Sequence, residues 1–289
     1  MKKPLRPIWF LYACAALLLS PTAVLAAPQP PECANGLAAP ATTNAASEST
    51  LLLNLFGREE TGWLFYVPLM ANEIGTDCPA ETPGFAKALA GWQSAHGLPG
   101  SGIVDVATLQ KLKQVWQAKR PFVVQSAHQC PAPPVESTLS QATTAESYGG
   151  KLIQLRADAL AAYRDMVAAA RKEGVLPPGS QLLAIFSAYR SPEYDAARCA
   201  VQNNCQGVVR ASCSAHRTAL AMDVNLGAAP GFGPDSSADA NRLYISRTPV
   251  YRWLVKNAVR FGFVNYPFEP WHWEFMGSRD RVDLGQNGT

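Results

Sequence analysis

The stretch FEPWHWEF, from Phe268 to Phe275, lies near the end of a chain of 289 residues and gathers acidic, aromatic and imidazole side chains around one proline. Glu269 stands three residues before His272. Pro270 between them argues against a helical HExxH zinc motif, because a proline inside a helix removes a backbone hydrogen bond. The aromatic alternation predicts instead a short strand, in which the two tryptophans share one face and His272 points to the other.

A second stretch, SAHRTALAMD from Ser214 to Asp223, places His216 seven residues before Asp223. Asp223 lies among apolar neighbours in a predicted strand, where an unpaired carboxylate would be costly. Two imidazoles and one carboxylate with an open fourth position form the donor set of a catalytic zinc site. His272 is the expected third ligand, because the remaining histidines fall in a predicted helical module and beside a linker. Glu269 would then transfer a proton from the attacking water to a leaving amine.

The elements around these motifs predict an α+β fold. An amphipathic helix from Leu152 to Ala170 is followed by further helices and short strands without regular β-α-β alternation. We expect a small antiparallel sheet of about four strands flanked by helices. The strands are predicted at LLAIFSAY (182–189), ALAMDVNL (219–226), FVNY (263–266) and WHWEF (271–275).

An earlier segment, Phe85 to Trp116, predicts two short helices joined by a Gly-Pro loop, with Asp105 as the N-cap of the second. It resembles peptidoglycan-binding-type domains, on the residues Trp92-Gln93, Gly97-Leu98, Gly102, Asp105 and Thr108-Leu109. We therefore expect a small all-α module before the α+β domain. A packing module that binds nothing is the alternative.

Composition divides the rest of the chain. Residues 1–26 combine Lys2, Lys3 and Arg6 with an apolar run, as a secretory signal peptide does, although a retained membrane anchor is the alternative. Ala-, Pro- and Thr-rich stretches predict a tether at 27–50 and a linker at 121–150. The helical module is assigned to 51–120, the catalytic domain to 151–281 and a tail to 282–289.

Charge and cysteine content bear on the compartment and the partners. Removing the three basic residues of the signal from the 25 in the chain leaves as many as the 22 acidic ones, so no nucleic-acid partner is indicated. Once Cys14 leaves with the signal, an even six cysteines remain, as expected for disulfides in an oxidising compartment. We expect at least one bridge within a short loop among Cys199, Cys205 and Cys213. The protein is thus expected to be secreted to a periplasm, with no stable membrane insertion after cleavage.

Roughly residues 150–280 resemble the zinc D-alanyl-D-alanine carboxypeptidases of the vancomycin-resistance (VanY-like) type, within the LAS group of metallopeptidases. The family pattern Ser-x-His-x-x-Gly-x-Ala-x-Asp is met by Ser214, His216, Ala221 and Asp223, with Ala219 in place of its glycine. Its Glu-x-x-His is met by Glu269 and His272, and its Ser-x-Tyr-Arg by Ser187 to Arg190.

The resemblance implies zinc held by His216, Asp223 and His272, with Glu269 as the base. It also implies that Arg190 polarises the scissile carbonyl or stabilises its oxyanion, and that Ser214 helps to position the substrate or the metal loop. Apart from the resemblance, Trp271, beside His272 on the predicted strand, and Tyr189 are candidates for substrate contact. An alternative for Trp271 is that it only packs in the core. An alternative for Arg190 is that it only pairs with Glu193 or Asp195.

The expected function is hydrolysis of peptidoglycan stem peptides, most specifically at a terminal D-alanyl-D-alanine bond. Two alternatives stay open. One is an L,D- or D,D-endopeptidase acting on the stem or cross-bridge, and the other is a cell-wall-binding protein with a relict zinc site.

Overall fold

A computed structural model describes residues 30–126, 129–201, 205 and 213–277. The predicted signal peptide (1–26) and tail (282–289) lie outside these residues and stay predictions. Among the described helices, none has the length and apolar character that a membrane crossing requires.

The first part of the described chain is mainly helical. Its elements are α1 (Pro31–Ala34), α2 (Ala38–Ser47), β1 (Leu52–Leu53), β2 (Glu60–Thr61), α3 (Val67–Glu73), α4 (Pro83–Ala95), α5 (Val106–Ala118) and α6 (Pro121–Gln125). The short antiparallel pair β1–β2 adds strand to the module that was expected to be all-α.

The tether predicted for residues 27–50 is wrong for residues 31–47, which form α1 and α2. A disulfide joins Cys33 to Cys78, and the fully buried Asn44 side chain bonds to Gly102 O (2.9 Å) and Val104 N (2.8 Å). Helix α2 packs against α4. Tertiary contacts therefore order a segment whose composition lacks a clear helical period.

The residues of the peptidoglycan-binding-type pattern hold the α4–α5 loop in place. The buried Gln93 amide donates to Thr108 Oγ1 (2.8 Å) and accepts from Gly102 N (2.8 Å). Asp105 caps α5 by accepting from Thr108 N at 2.7 Å, as predicted. These contacts give the pattern a structural role, and wall binding stays a prediction.

The second part combines helices with two antiparallel sheets. Its elements are β3 (Leu139–Gln141), β4 (Gln154–Arg156), α7 (Ala157–Lys172), β5 (Ile185–Ser187), α8 (Pro192–Val201), β6 (Ala221–Val224), α9 (Asp239–Arg247), α10 (Pro249–Asn257), β7 (Phe263–Tyr266) and β8 (Glu269–Phe275). The helix that was expected to begin at Leu152 begins at Ala157, because the residues just before it form β4. Strand β4 pairs with β3, which lies inside the predicted linker (121–150).

The larger sheet has the strand order β5-β6-β8-β7, and each neighbouring pair is antiparallel. Met222 and Val224 of β6 and Trp273 of β8 face a buried core that they share with α7 and α10. A mixture of helices with small antiparallel sheets is therefore confirmed. The alternation along β6 and β8 leaves Asp223 and His272 on the opposite face of the sheet.

The first part of the chain packs against that opposite side. Tyr266 and Phe268 belong to its hydrophobic cluster, and both rings contact Phe56, with centroids 5.5 and 5.6 Å away. The fully buried Arg242 of α9 pairs with the equally buried Glu60 of β2. The two parts thus share a buried interface next to strand β8.

Disulfides brace the segments around the sheet. Cys199 is joined to Cys205, which confirms the predicted short-loop bridge. Cys130 is joined to Cys213, directly before Ser214. The start of the His216 segment is therefore tied to the chain that precedes β3.

Candidate metal centre and active-site cleft

Strand register brings two of the predicted ligands together. Asp223 of β6 lies opposite His272 of β8. His216 comes from a one-turn 3₁₀ helix, Ala215–Thr218, that leads into β6. Ala219 ends this turn in the left-handed conformation, with φ 55° and ψ 19°. The family pattern has glycine at this position, and the positive φ explains why.

His216, Asp223 and His272 form a buried cluster that could hold a metal ion. One ligand atom of each lies within 4.8 Å of the others. Asp223 Oδ2 is 3.2 Å from His216 Nε2, and Oδ1 is 2.8 Å from His272 Nδ1. The carboxylate thus lies between the two imidazoles.

The outer nitrogen of each histidine is already hydrogen-bonded. His216 Nδ1 lies 2.7 Å from Ala188 O, and since a carbonyl only accepts, this nitrogen carries the proton. His272 Nε2 lies 3.3 Å from the Glu274 carboxylate. In the neutral rings, the inner nitrogens are then free to bind a metal, as in metal sites whose histidines are held by a second hydrogen bond.

Burial and charge act differently on the two imidazoles. Burial, with Arg190 nearby, lowers the pKa of His216 to about 4. Burial also disfavours the charged form of His272, but hydrogen bonds to Asp223 and Glu274 and their charges raise its pKa to about 9. Burial opposes ionisation of Asp223, yet both histidines hold its pKa well below the ordinary value.

Glu269 lies at the start of β8 and lines the same cavity of about 430 Å³ as the three ligands. Burial raises the pKa of Glu269, and the charge of His272 opposes the shift. The backbone around it is fixed by the Asn265 amide, which donates to Pro270 O at 3.2 Å and His272 O at 2.9 Å. Asn265 therefore holds the backbone of β8 between Glu269 and His272, where the pairing with β7 changes register.

The structure brings most of the other predicted site residues into this cavity. Arg190, Ser214 and Trp271 line it, whereas Tyr189 is not among its lining residues. Trp271 also belongs to the buried core, so the two interpretations weighed for it are compatible.

Asp195, in helix α8, holds two of these residues. Arg190 Nε lies 3.1 Å from its Oδ1, and Ser214 Oγ donates to its Oδ2 at 2.5 Å. Arg190 thus both pairs with Asp195 and faces the cavity. Burial lowers the pKa of Arg190, partly offset by the charges of Asp223 and Asp195.

Sequence reasoning missed several side chains at this site. Arg120, Lys151 and Arg198 line the cavity. Arg120 lies beyond α5 and 154 residues before Glu274, the side chain that it contacts, so no local motif indicated it. Lys151 and Arg198 carry no spacing signal, and the only available clue was their cationic charge.

Comparison with known proteins gives one family match. No curated protein matches the chain in sequence. The solved LdcB LD-carboxypeptidase is 22% identical over 54% of this chain and 76% of its own, with a TM-score of 0.38. The zinc-bound D,D-pentapeptidase VanY of a VanB-type vancomycin-resistance cassette is 22% identical over 53% of this chain and 87% of its own, with a TM-score of 0.33. VanYB in complex with D-alanine-D-alanine is 22% identical over 54% of this chain and 87% of its own, with a TM-score of 0.33.

At these scores the structural likenesses support no functional inference. The family match covers the segment that contains the metal cluster and Glu269. Residues 152–278 match the family model of VanY, described as D-alanyl-D-alanine carboxypeptidase.

Proposed function

We propose that this protein is an exported zinc peptidase that cleaves the terminal D-alanyl-D-alanine bond of peptidoglycan stem peptides. The observation that carries the proposal is the buried cluster of His216, Asp223 and His272, with Glu269 in the same cavity. The family match of residues 152–278 supports a carboxypeptidase-type peptidase.

The donor set suits zinc. Two imidazoles and one carboxylate leave a fourth position open, as catalytic zinc sites do. The Ala188 carbonyl and the Glu274 carboxylate orient the imidazoles from outside. When bound there, zinc supplies Lewis-acid polarisation of the scissile carbonyl and lowers the pKa of a bound water.

Glu269 acts as general base and then as general acid. Its pKa is raised by burial, which makes the carboxylate a better proton acceptor than an exposed glutamate. It takes a proton from the attacking water and delivers it to the nitrogen of the leaving amine. The peptide C–N bond breaks as the amine leaves, and one water is consumed for each bond cleaved.

Arg190 stabilises the negative charge that develops on the carbonyl oxygen. Asp195 holds one side of its guanidinium, so the remaining donors are oriented before substrate binds. A preorganised donor of this kind contributes more to the transition state than to the ground state.

A carboxypeptidase must also bind the free terminal carboxylate of its substrate. Lys151 and Arg198 place two further cationic side chains on the cavity wall. Their charge favours cleavage at a chain end over endopeptidase cleavage within the stem or cross-bridge, where no terminal carboxylate lies next to the scissile bond.

The remaining parts of the proposal concern location and delivery. Three disulfides support export to an oxidising compartment such as a periplasm. The peptidoglycan-binding-type pattern around Gln93 and Asp105 supports a wall-associated role for the first part of the chain.

Mass spectrometry of products from defined muropeptides tests the proposal. Zinc-loaded wild type is expected to release one D-alanine from a pentapeptide stem, and Glu269→Ala to lose this activity while keeping zinc affinity. Glu193→Ala is the matched control, because Glu193 is an exposed carboxylate outside the cavity.

Three outcomes would count against it. Release of a larger fragment would show an endopeptidase. No cleavage by zinc-loaded wild type would favour a binding protein with a relict site. Full activity of Glu269→Ala would remove Glu269 as the base.

A further inference from the structure

Arg120 lies between α5 and α6 in the first part of the chain, yet its side chain ends beside the metal cluster. It is 6% exposed and stacks on the Tyr266 ring, with the guanidinium carbon 3.9 Å from the centroid. Its Nε is 2.8 Å from Glu274 Oε1, and its Nη2 bonds to the same oxygen. Its Nη1 donates to Gln117 Oε1 at 2.8 Å. The guanidinium is therefore held on three sides.

Glu274 links Arg120 to the ligand His272. It is 2% exposed, and its Oε2 accepts from Phe122 N at 3.0 Å. Its Oε1, the oxygen bound by Arg120, lies 3.3 Å from His272 Nε2. Two groups from the first part of the chain thus hold the carboxylate that faces the outer nitrogen of the ligand.

We propose that Arg120 is a positioning residue for the metal site, acting through Glu274 to fix the ring orientation of His272 and so the nitrogen that faces the metal. This rests on the proposed zinc site. It means that the first part of the chain completes the site formed by residues 152–278.

The physical reason is the effect of an outer carboxylate on a metal-bound imidazole. A carboxylate that accepts from the outer nitrogen fixes the tautomer and strengthens the inner nitrogen as a donor, and its loss typically costs about 10–100-fold in metal affinity or activity. Without Arg120, the buried Glu274 would lose its cationic partner within the same site as Asp223 and Glu269. An unpaired buried charge is unstable, so Glu274 would turn away from His272.

Arginine suits this position better than lysine. Both Nε and Nη2 bond to Glu274 while Nη1 reaches Gln117, which needs the planar fork of a guanidinium. Its flat face also stacks on Tyr266. A lysine could restore the charge but only part of this geometry.

The experiment uses the full chain and compares Arg120→Gln and Arg120→Lys with wild type. The measurements are the zinc dissociation constant by chelator competition, the visible absorption spectrum of the Co²⁺-substituted protein, and kcat and KM. Arg120→Gln is expected to weaken zinc binding about 10–100-fold, to alter the Co²⁺ spectrum and to lower kcat more than it raises KM. Arg120→Lys is expected to recover part of each loss.

Arg58→Gln is the matched control. Arg58 pairs with Asp239 across the same interface and is not among the residues lining the cavity. It is expected to bind zinc like wild type even if its unfolding midpoint falls, which separates loosening of the interface from loss of ligand orientation.

Unchanged zinc affinity and Co²⁺ spectrum in Arg120→Gln would overturn the proposal and leave Arg120 a purely structural role. If that variant does not fold, Glu274→Gln gives the same test, because it keeps an oxygen toward His272 but loses the charge. Zinc affinity equal to that of wild type in Glu274→Gln would also overturn the proposal. Failure of the proposed function looks different, because wild type itself would then bind no zinc or cleave no muropeptide.

Discussion

Asp223 lies directly opposite His272 on the neighbouring strands β6 and β8, with 2.8 Å between Oδ1 and Nδ1. The pairing register therefore brings two of the three predicted ligands together without any contribution from a loop. A slip of one residue would turn His272 to the other face of the sheet. The buried residues on that face, such as Met222 and Trp273, fix the register and so keep Asp223 opposite His272.

The unequal pKa values of the two histidines predict how zinc affinity depends on pH. His216, with a pKa of about 4, is neutral over the working range, whereas His272, with a pKa of about 9, is protonated in the metal-free protein. Zinc must displace that proton. The affinity is therefore expected to rise about tenfold per pH unit through neutral pH up to near pH 9, and to level off above pH 9.

Chelator competition at several pH values measures this dependence. The raised pKa of His272 also stabilises the metal-free fold below pH 6.5, and this contribution is lost as the pH rises through 9. Zinc affinity that levels off near pH 7 would show that His272 titrates as an ordinary histidine.

The buried pair of Arg242 and Glu60 predicts that the two parts of the chain depend on each other. Both side chains are fully buried, and Arg242 also donates to Tyr66 Oη at 2.9 Å. Glu60→Ala would leave the guanidinium without its buried partner, so we expect a loss of about 3–5 kcal/mol in the free energy of unfolding. Chemical denaturation of the full chain measures it.

Asp77→Asn is the control for this interface. It removes the exposed ion pair of Asp77 with Lys256 between the same two parts and is expected to cost less than about 1 kcal/mol. If Glu60→Ala also lost less than about 1 kcal/mol in the free energy of unfolding, Asp239, 3.3 Å from Arg242, would be enough to neutralise the guanidinium.

Ala219 has a left-handed backbone conformation at the position where the family pattern has glycine, and a prediction follows from this. Ala219→Gly relieves about 1–2 kcal/mol of backbone strain but loses a fully buried methyl worth about 0.8 kcal/mol and adds freedom to the unfolded chain. The free energy of unfolding is therefore expected to change by no more than about 1 kcal/mol.

Ala219→Val should behave differently. A β-branched residue fits poorly at positive φ and would overpack the site, so we expect a loss of more than about 2 kcal/mol and weaker zinc binding through the adjacent His216 turn. Thermal unfolding with and without zinc measures both effects. Equal stability of the two variants would contradict the strain argument.

Local sequence spacing was enough to predict that His216, Asp223 and His272 lie together in one buried cluster. His216, Asp223, Glu269 and His272 carry chemical types that few structural roles require together, and two short motifs contain all four. The same spacing located strands β6 and β8, because apolar residues alternate with the ligands.

Long-range pairing was not predictable in this way. Arg120 and Glu274 are 154 residues apart, and neither belongs to a motif that includes the other. Residues 31–47 were predicted as a tether because a helix ordered by a disulfide and by the buried Asn44 need not show amphipathic periodicity. What the sequence did not reveal is how the first part of the chain packs beside the metal site.

Arg198 offers the prediction that separates a carboxypeptidase from an endopeptidase. Its side chain lines the cavity near Arg190, whose pKa its charge helps to lower. If Arg198 binds the terminal carboxylate of the substrate, Arg198→Gln removes a charge-assisted hydrogen bond worth about 1.5–3 kcal/mol, which corresponds to a rise of about 10–150-fold in KM. The value of kcat is expected to change little, because the carboxylate is bound equally in the ground and transition states.

A pair of substrates makes this test specific. For a stem peptide whose terminal carboxylate is converted to an amide, Arg198→Gln should have nearly the same KM as wild type. Arg198 of wild type has no terminal carboxylate to bind in that substrate, so the substitution removes no interaction. Glu193→Ala again serves as the control on helix α8. An equal rise in KM for both substrates would show that Arg198 acts on the shape of the cleft. Full activity of wild type on the amide would favour the endopeptidase, because that reaction needs no terminal carboxylate.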